Sequence, residues 1–244
     1  MTNTVSTVVR DVTLNLVGYT RALELCARMN RETEVLDFID RIEPGEVLYD
    51  LGACEGRFAL YAALRGIRCY AFEPEALNFK ALLENLALNG ARAEHLLTPL
   101  NYAVGESNHQ STIKIGQPWA GGHHRVLADV SSRVDLDFNF VSEQAVEVVG
   151  LDAFINNRNL PAPNYMKVDV DGSELSFLKG AQQTLASPGL KAIIFELLEK
   201  DASYQEAIGL LEALSFSVVE KHEVEPGLFN VVFERGTQAS TKRS

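Results

Sequence analysis

The sequence predicts an α/β protein with a mostly parallel sheet that carries helices on both faces. Its strand-like segments, such as residues 47–51 and 191–197, are continuous apolar runs, which is typical of strands buried on both faces. These runs alternate with helical patterns, as the crossovers of a parallel sheet require. With 244 residues, 46% of them hydrophobic and 23% charged, the chain is long enough for one large domain with a sizeable core.

The expected order of elements is strand–helix three times, a β-hairpin insertion, strand–helix twice and a final antiparallel pair. We expect an N-terminal helical segment over residues 1–44, because residues 20–41 carry apolar side chains at near-helical spacing. Residues 1–10 are expected to be loose or to form a short edge strand. The main domain is predicted over residues 45–236, and residues 237–244 are expected to be a disordered polar tail.

The first predicted strand leads into a glycine-rich turn and a helix over residues 58–64. Gly52 and Gly56 lie in this turn, where glycine permits a sharp reversal and the close approach of a ligand or a helix. The next predicted strand covers residues 69–72 and ends in Glu73, followed by Pro74. An acid about 20 residues after such a turn can accept hydrogen bonds from both hydroxyls of a ribose. The unit is therefore typical of domains that bind nucleotide-like ligands.

The spacing of the turn, Asp-x-Gly-x-x-x-Gly from Asp50 to Gly56, differs from a dinucleotide fingerprint. Cys54 stands near the place of the middle glycine, and Glu55 adds an acid inside the loop. Two acids close to the loop make a poor cradle for phosphate, but they suit a ligand with a positive amino-acid end and a neutral ribose. S-adenosylmethionine fits this description. NAD, another nucleotide, or a turn that binds nothing are the alternatives.

The third strand is predicted within residues 95–105, after a helix that ends at Asn89-Gly90. Its tail carries Asn101, Tyr102 and Ala103 to the carboxyl-terminal edge, where open α/β sheets bind ligands. Asn101 and Tyr102 are candidates to frame an adenine by hydrogen bonding and stacking. The alternative is an asparagine that only satisfies the end of its strand.

Residues 106–149 interrupt the alternation and are predicted to be an insertion in the substrate or lid region. Two short strands are expected there, separated by a long polar stretch that contains Trp119, His123, His124 and Arg125. A histidine titrates near neutrality and can deprotonate a hydroxyl or orient a carboxylate. His123 and His124 are thus candidate catalytic residues, and a mobile surface loop with solvated histidines is the alternative.

The second half of the domain returns to alternating strands and helices. Helices are predicted over residues 151–157, 173–185 and 204–214, and strands over residues 165–172, 191–197, 216–221 and 227–234. Asp169 and Glu196 come at the ends of two of these strands. Asp169 lies at the strand end nearest the expected position of the methyl group of S-adenosylmethionine. It could act as a base, hold the amino group of this cofactor or bind a metal ion. Two carboxylates at adjacent strand ends suit Mg²⁺ or Ca²⁺, so a divalent ion is a further candidate.

The net charge and the cysteine content limit which partners and which cellular setting we expect. The net charge of −11 argues against nucleic-acid binding, because no basic stripe is present to meet the phosphates. Three cysteines, Cys26, Cys54 and Cys69, form no metal spacing, and a reduced cytoplasmic setting is expected. No apolar run reaches the ~20 residues needed to cross a bilayer, so no membrane partner is predicted. A homo-oligomer is left open.

Five motifs resemble the FkbM family of S-adenosylmethionine-dependent methyltransferases, in the right order over residues 46–200. They are Asp50-Leu-Gly-Ala-Cys-Glu-Gly, Ala71-Phe-Glu-Pro, Leu83-Glu-Asn-Leu, Asn101-Tyr-Ala-Val-Gly and Lys167-Val-Asp-Val-Asp-Gly-Ser-Glu-Leu-Ser-Phe-Leu-Lys-Gly-Ala. The resemblance implies the seven-stranded class I methyltransferase sheet with one antiparallel strand. It also implies O-methylation of a hydroxyl on a sugar, a polyketide or a related small molecule.

The resemblance also implies roles for individual residues around S-adenosylmethionine. Those expected near the methionine end are Asp50, Gly52, Ala53 and Gly56, with Cys54 and Glu55 in the same loop; those expected near the ribose and adenine are Glu73, Pro74, Asn101, Tyr102 and Ala103. Cys54 replaces the asparagine that is usual in the family, and Asp171 stands where the family has glutamate. A module that binds S-adenosylmethionine without catalysis and an NAD-dependent oxidoreductase are the alternative functions.

Overall fold

The computed structural model describes residues 3–128 and 139–236, and the expected tail lies outside these residues. The strands are β1 Thr4–Val9, β2 Val12–Val17, β3 Val47–Leu51, β4 Arg68–Phe72, β5 Leu97–Leu100, β6 Ala103–Gly105, β7 His109–Ile115, β8 Arg125–Leu127, β9 Ser142–Gly150, β10 Tyr165–Val168, β11 Ala192–Leu198, β12 Phe216–Glu225 and β13 Leu228–Arg235. The helices are α1 Arg21–Cys26, α2 Thr33–Ile39, α3 Arg57–Leu64, α4 Ala76–Leu88, α5 Gly90–Leu96, α6 Leu151–Arg158, α7 Glu174–Gly180, α8 Gln182–Ala186 and α9 Ala202–Ala213.

The main sheet has seven strands within the described residues, in the order β12-β13-β11-β10-β3-β4-β5. All neighbours from β11 to β5 are parallel, and β13 runs antiparallel to both β11 and β12. The prediction of a mostly parallel sheet with a C-terminal antiparallel pair is confirmed. Val168 pairs with Leu51 on one side and with Phe195 on the other. Gly52, Asp169 and Glu196, each one residue further on, therefore meet at one edge.

Both faces of the sheet are covered, because successive side chains of a strand point to opposite sides. Leu48 packs in one buried cluster with α2 and α3, whereas Tyr49 packs in a second cluster with α6, α7 and α9. The predicted helices on both faces are confirmed. No helix in the described part of the chain is long and apolar enough to cross a membrane.

The N-terminal segment is helical only in part, and the prediction of a helical segment is wrong for its first half. Strands β1 and β2 pair as an antiparallel hairpin, and α1 and α2 follow within the stretch where helices were expected. In β2, the side chains of Leu14 and Leu16 are buried, as alternation in a half-covered strand demands. Asn85 in α4 and Asn89 at the C-cap of this helix accept hydrogen bonds from the backbone of β2, which ties the hairpin to α4.

The insertion forms a second sheet of four strands in the described residues, ordered β6-β9-β7-β8. The predicted pair is confirmed as antiparallel β7 and β9, whereas β6 and β8 were not expected. The segment expected to be the tail of the third strand splits after Asn101-Tyr102, and β6 leaves to pair with β9. Two smaller differences concern helices: α5 was not predicted, and the helix expected over residues 173–185 is divided at Ala181 into α7 and α8.

Replacing Gly52 with alanine should destabilise the protein more than the same change at Gly90. Both glycines have left-handed φ angles, +79° and +72°, so alanine at either position lowers the free energy of unfolding by about 1–2 kcal/mol. Nothing lies within 4 Å of a Cβ at Gly90, whereas a Cβ at Gly52 would lie 1.8 Å from the carbonyl oxygen of Asp169. Urea unfolding measures both free energies, and equal losses would contradict the close approach of the two strand ends.

Candidate active site

Four backbone N–H groups in the loop between β3 and α3 form hydrogen bonds within the protein. Gly52 and Ala53 both donate to the carbonyl oxygen of Phe72 at 2.9 Å, and Gly56 donates to Ala53 at 2.8 Å. Cys54 donates from its backbone to the carboxylate of Glu73 at 2.9 Å. A pyrophosphate is normally held by free N–H groups of such a loop. The geometry therefore disfavours a dinucleotide here.

Glu73 is a buried carboxylate at the edge of a cavity, with only 4% of its surface exposed. Besides the bond from Cys54, its other oxygen accepts from the backbone N–H of Glu75 at 2.8 Å. Burial raises the pKa of Glu73 to about 8, although these N–H groups and the nearby Arg125 favour the charged form. A fixed carboxyl group in this position presents hydrogen-bonding oxygens to hydroxyl groups of a ligand, and these oxygens are acceptors only once the group is ionised.

Two cavities meet at the carboxyl-terminal edge of the main sheet. The Glu73 cavity is lined by Phe72, Glu73, Pro74, Asn78, Tyr102, Ala103, Val104, Ile113, Gly122, Arg125, Leu127, Val170 and Ser173, together with the shared residues below. The Glu196 cavity is lined by Arg31, Glu32, Ala53, Arg57, Phe58, His124, Lys167, Glu196, Leu198, Lys200, Val224, Glu225, Pro226 and Leu228, together with the same shared residues. Both cavities are lined by Gly52, Cys54, His123, Asp169 and Asp171.

We call these five shared residues the junction of the two cavities. Most of the residues singled out in the sequence line one of the two cavities or this junction. The exceptions among the described residues are Asp50, Glu55, Gly56 and Asn101, which line neither cavity. Each of them supports the walls from behind, as the following contacts show.

Asp50 lies beneath the loop, with 1% of its surface exposed. Its Oδ1 is 3.3 Å from Nζ of Lys167, a second buried side chain. Burial raises the pKa of Asp50 and the nearby ammonium opposes the rise. The same ammonium donates to Asp169 at 3.2 Å and to the carbonyl oxygen of Gly52 at 3.3 Å. Lys167 thus links Asp50 of β3, the glycine loop and the Asp169 carboxylate at the junction.

Glu55 turns away from the cavities toward Arg57, which donates to it at 2.8 Å. Burial works against ionisation of Glu55, but Arg57 outweighs it and the pKa of this carboxyl is lowered. Gly56 serves as the N-cap of α3 and packs against Leu82. The acid that made the loop a poor phosphate cradle in the sequence is therefore neutralised inside the protein.

Asn101 ties two chain segments together. Its side-chain amide donates to the carbonyl oxygens of Glu73 at 2.8 Å and Pro74 at 3.1 Å. The neighbouring Tyr102 does line the Glu73 cavity, and its hydroxyl accepts a hydrogen bond from Arg158 at 2.6 Å. Of the two residues predicted to frame an adenine, only Tyr102 lines the cavity. The amide of Asn101 bonds to backbone carbonyl oxygens, as in the alternative of a strand-end asparagine.

Arg125 clamps the insertion to the edge of the main sheet, a role that the sequence did not suggest. Its guanidinium is buried and pairs with the carboxylate of Glu75 at 3.0 Å. It also donates to the carbonyl oxygens of Gln117, Trp119, Gly122 and His123. Because five acceptors converge on one side chain, the loop that carries His123 and His124 is folded over the junction rather than extended into solvent.

Three carboxylates converge in the Glu196 cavity, from Glu32, Asp169 and Glu196, with oxygens within 4.8 Å of one another. Glu32 joins the pair predicted from the sequence. Cations already occupy part of this negative charge, since Arg57 pairs with Glu32 and Lys167 pairs with Asp169. A divalent ion would have to compete with both side chains, and these residues fit a resident metal poorly.

Solved structures share the fold. The chain aligns with precorrin-6y C5,15-methyltransferase from Geobacter metallireducens at a TM-score of 0.51 and 13% identity, over 85% of this chain and 90% of that one. It aligns with a tRNA methyltransferase from M. jannaschii at a TM-score of 0.50 and 16% identity, over 97% and 58%. Together with the strand order, these matches define a class I, Rossmann-like methyltransferase fold.

The methyltransferase FkbM domain matches residues 50–218, more than half of the chain. The chain therefore belongs to the FkbM methyltransferase family, as the motifs predicted. It is 28% identical to the hexuronic acid methyltransferase AglP of Haloferax volcanii over 149 residues, 61% of this chain and 55% of that protein. It is 26% identical to the 31-O-demethyl-FK506 methyltransferase FkbM of Streptomyces tacrolimicus over 200 residues, 75% and 76% of the two chains.

Removing the guanidinium in Arg125→Gln should lower the free energy of unfolding by about 3–5 kcal/mol, because Glu75 is left as an unpaired buried charge. Hydrogen exchange of the backbone over residues 117–125 should accelerate in the same variant. Lys80→Gln is the control, since its ion pair with Glu84 is exposed and contributes at most a few tenths of a kcal/mol. A loss in Arg125→Gln no larger than that of the control would contradict the clamp.

The raised pKa of Glu73 predicts a pH-dependent stability. Above its ordinary pKa of ~4.3 the unfolded carboxyl is ionised, whereas the folded one keeps its proton up to about pH 8. Between these values the folded state binds more protons, so the free energy of unfolding falls as pH rises and the contribution is lost through about pH 8.

Thermal unfolding from pH 5 to pH 9 compares the wild type with Glu73→Gln, which cannot ionise. The wild type should lose stability relative to this variant as the pH increases. Glu94→Gln, at an exposed position on α5, serves as the control. Parallel pH profiles of the wild type and Glu73→Gln would exclude a raised pKa at Glu73.

Proposed function

We propose that this protein transfers a methyl group from S-adenosylmethionine to a hydroxyl of a small molecule or sugar. The observation that carries the proposal is the pair of adjoining cavities, one with a ribose-accepting carboxylate and one lined by charged side chains, with a shared junction between them. Family membership supports methyl transfer. The two relatives are named for a hexuronic acid and for 31-O-demethyl-FK506, so they support a small-molecule acceptor but not one particular compound.

S-adenosylmethionine fits the Glu73 cavity. Glu73 offers two acceptor oxygens to the ribose hydroxyls, and Tyr102 offers an aromatic wall to the adenine. Gly52, Ala53 and Cys54 approach from the methionine side, where two of the three line the junction. Because four N–H groups of the loop are bonded within the protein and Arg125 is committed to Glu75, these donors are not available to a pyrophosphate, which disfavours NAD.

The remaining residues align the acceptor and take its proton. When bound, S-adenosylmethionine supplies an electrophilic methyl group on a sulfonium sulfur. The acceptor must lie in the Glu196 cavity with its hydroxyl oxygen at the junction, because in-line displacement depends on alignment. Asp169 faces both cavities, and we assign it the acceptance of the hydroxyl proton. Lys167 orients this carboxylate at 3.2 Å.

His123 and His124 complete the acceptor side. His123 lines both cavities, and its backbone N–H donates to the side chain of Gln117 at 3.0 Å. His124 lines the Glu196 cavity, and its carbonyl oxygen accepts from Gly116 at 3.0 Å. We assign His123 to positioning the acceptor hydroxyl or relaying its proton, and His124 to contacting the acceptor further from the junction. The loop of residues 117–126 would cover the bound acceptor.

The partners follow from the same proposal. The acceptor is a small molecule, and the acidic charge of the chain disfavours nucleic acid. A cytoplasmic setting agrees with the three free thiols. Neither a homo-oligomer nor a divalent ion is needed for the assignments above. Assays with and without a chelator would show whether Asp169 and Glu196 hold Mg²⁺ or Ca²⁺.

Calorimetric titration with S-adenosylmethionine tests the cofactor site. We expect micromolar binding by the wild type, weakened by ~1–3 kcal/mol in Glu73→Ala because the ribose loses its acceptors. Asp169→Asn should bind the cofactor within a few-fold of the wild type but form S-adenosylhomocysteine about 10²–10⁴ times more slowly.

Three results separate the alternatives. No binding by a folded wild type would falsify the methyltransferase proposal. Binding without turnover of any hydroxylated acceptor would favour a non-catalytic module. Loss of cofactor binding in Asp169→Asn would assign Asp169 to the amino group of the cofactor instead of to proton transfer. Glu94→Gln changes an exposed residue of α5 that lines neither cavity, so this variant should leave binding and turnover unchanged.

A further inference from the structure

Two exposed cations at the Glu196 cavity have no ion-pair or hydrogen-bond partner among the described residues. Arg31 comes from the connection between α1 and α2, and Lys200 from the connection between β11 and α9. The other two cations of the cavity, Arg57 and Lys167, are committed to buried carboxylates. The cavity therefore offers two uncommitted positive charges.

The same cavity is also lined by acids. Asp169 follows the end of β10, Glu196 lies within the adjacent strand β11, and Glu225 is the last residue of β12. Glu32 and Asp171 line the cavity as well. Ionised carboxylates are hydrogen-bond acceptors only, so they suit the hydroxyl groups of a polyol and repel an anionic group. A ligand that satisfies the whole cavity thus has hydroxyl groups toward the acids and a negative charge toward the free cations.

We infer that the acceptor is a polyhydroxylated molecule that bears a carboxylate or phosphate, and that Arg31 and Lys200 bind this anionic group. The inference rests on the proposed function, because it assigns the Glu196 cavity to the acceptor. A guanidinium can hold a carboxylate or phosphate by two hydrogen bonds, and an ammonium adds a point charge. The relatives are named for different acceptors and do not decide this point, so Arg31 and Lys200 are assigned as specificity-determining residues of this chain.

The uncommitted cations matter because the chain as a whole repels anions. Its net charge is −11, and a negative acceptor approaching the cavity meets Glu196 and Glu225 as well. Local positive charge at the mouth offsets this repulsion over distances up to the screening length of ~8 Å at physiological salt. The preference for an anionic acceptor should therefore weaken as salt is added.

Matched sugar probes test the inference directly by calorimetry on the full chain loaded with S-adenosylhomocysteine. Methyl glucuronide, glucose 1-phosphate and methyl glucoside carry a carboxylate, a phosphate and no charge, respectively. We expect at least one anionic probe to bind about tenfold more tightly than the neutral one. The anion that binds more tightly distinguishes a carboxylate acceptor from a phosphorylated one.

The double variant Arg31→Gln with Lys200→Gln should reduce this preference to about threefold or less. The matched control is Arg28→Gln with Arg68→Gln, which removes the same charge from exposed positions that line neither cavity and should leave the preference unchanged. The inference is overturned if no anionic probe is preferred, or if the double variant keeps the wild-type preference.

Cofactor titration keeps this outcome separate from that of the proposed function. Arg31 and Lys200 do not line the Glu73 cavity, so the double variant should bind S-adenosylmethionine as the wild type does. Normal cofactor binding without a preference for anions rejects only the inference about the acceptor. Absence of cofactor binding in the wild type rejects the proposed function itself.

Discussion

A buried ammonium in the middle of the main sheet is the constraint on which the site depends. Lys167 lies on β10 between two acids, with Asp50 at 3.3 Å and Asp169 at 3.2 Å, and also donates to the carbonyl oxygen of Gly52. Two carboxylates at a buried strand edge repel each other, so a cation between them is needed to keep both charged. Its attraction to them holds the pKa of Lys167 above its ordinary value despite burial. Strand β3, the glycine loop and the Asp169 carboxylate are thereby fixed as one unit.

A second buried cation extends this unit into the insertion. Arg125 joins the N-terminus of α4, through Glu75, to the carbonyl oxygens of the loop that carries His123. Asn78 of α4 supports the same loop by accepting from the backbone of Gly121 at 2.8 Å. The loop that lines both cavities is therefore supported by the helix that follows Glu73. The Glu73 cavity and the Glu196 cavity share walls because they share these supports.

The carboxylates of the site differ in the groups that compensate their charge. Glu55 and Asp50 have cations beside them and serve the scaffold. Glu73 has mainly backbone N–H groups, which leaves its charge undercompensated and its pKa at about 8. A ligand that brings hydroxyl donors to Glu73 adds hydrogen bonds that stabilise its ionised form. Glu73 is thus both the residue that weakens the fold at high pH and the one that we propose binds the ribose.

The sequence by itself determined the parallel sheet, the strand ends that carry Glu73, Asp169 and Glu196, and the family, because these depend on local periodicity and on short motifs. Tertiary structure decided the rest. The hairpin of residues 4–17 is tied to the domain by Asn85 in α4 and by Asn89 at the C-cap of this helix, which accept hydrogen bonds from β2 across about 70 positions of sequence. Only the fold could bring the amide of Asn101 to the carbonyl oxygens that follow β4 and close the loop of residues 117–125 around Arg125. The acceptors that fix these side chains are brought together by packing between distant segments and leave no periodic signal in the chain.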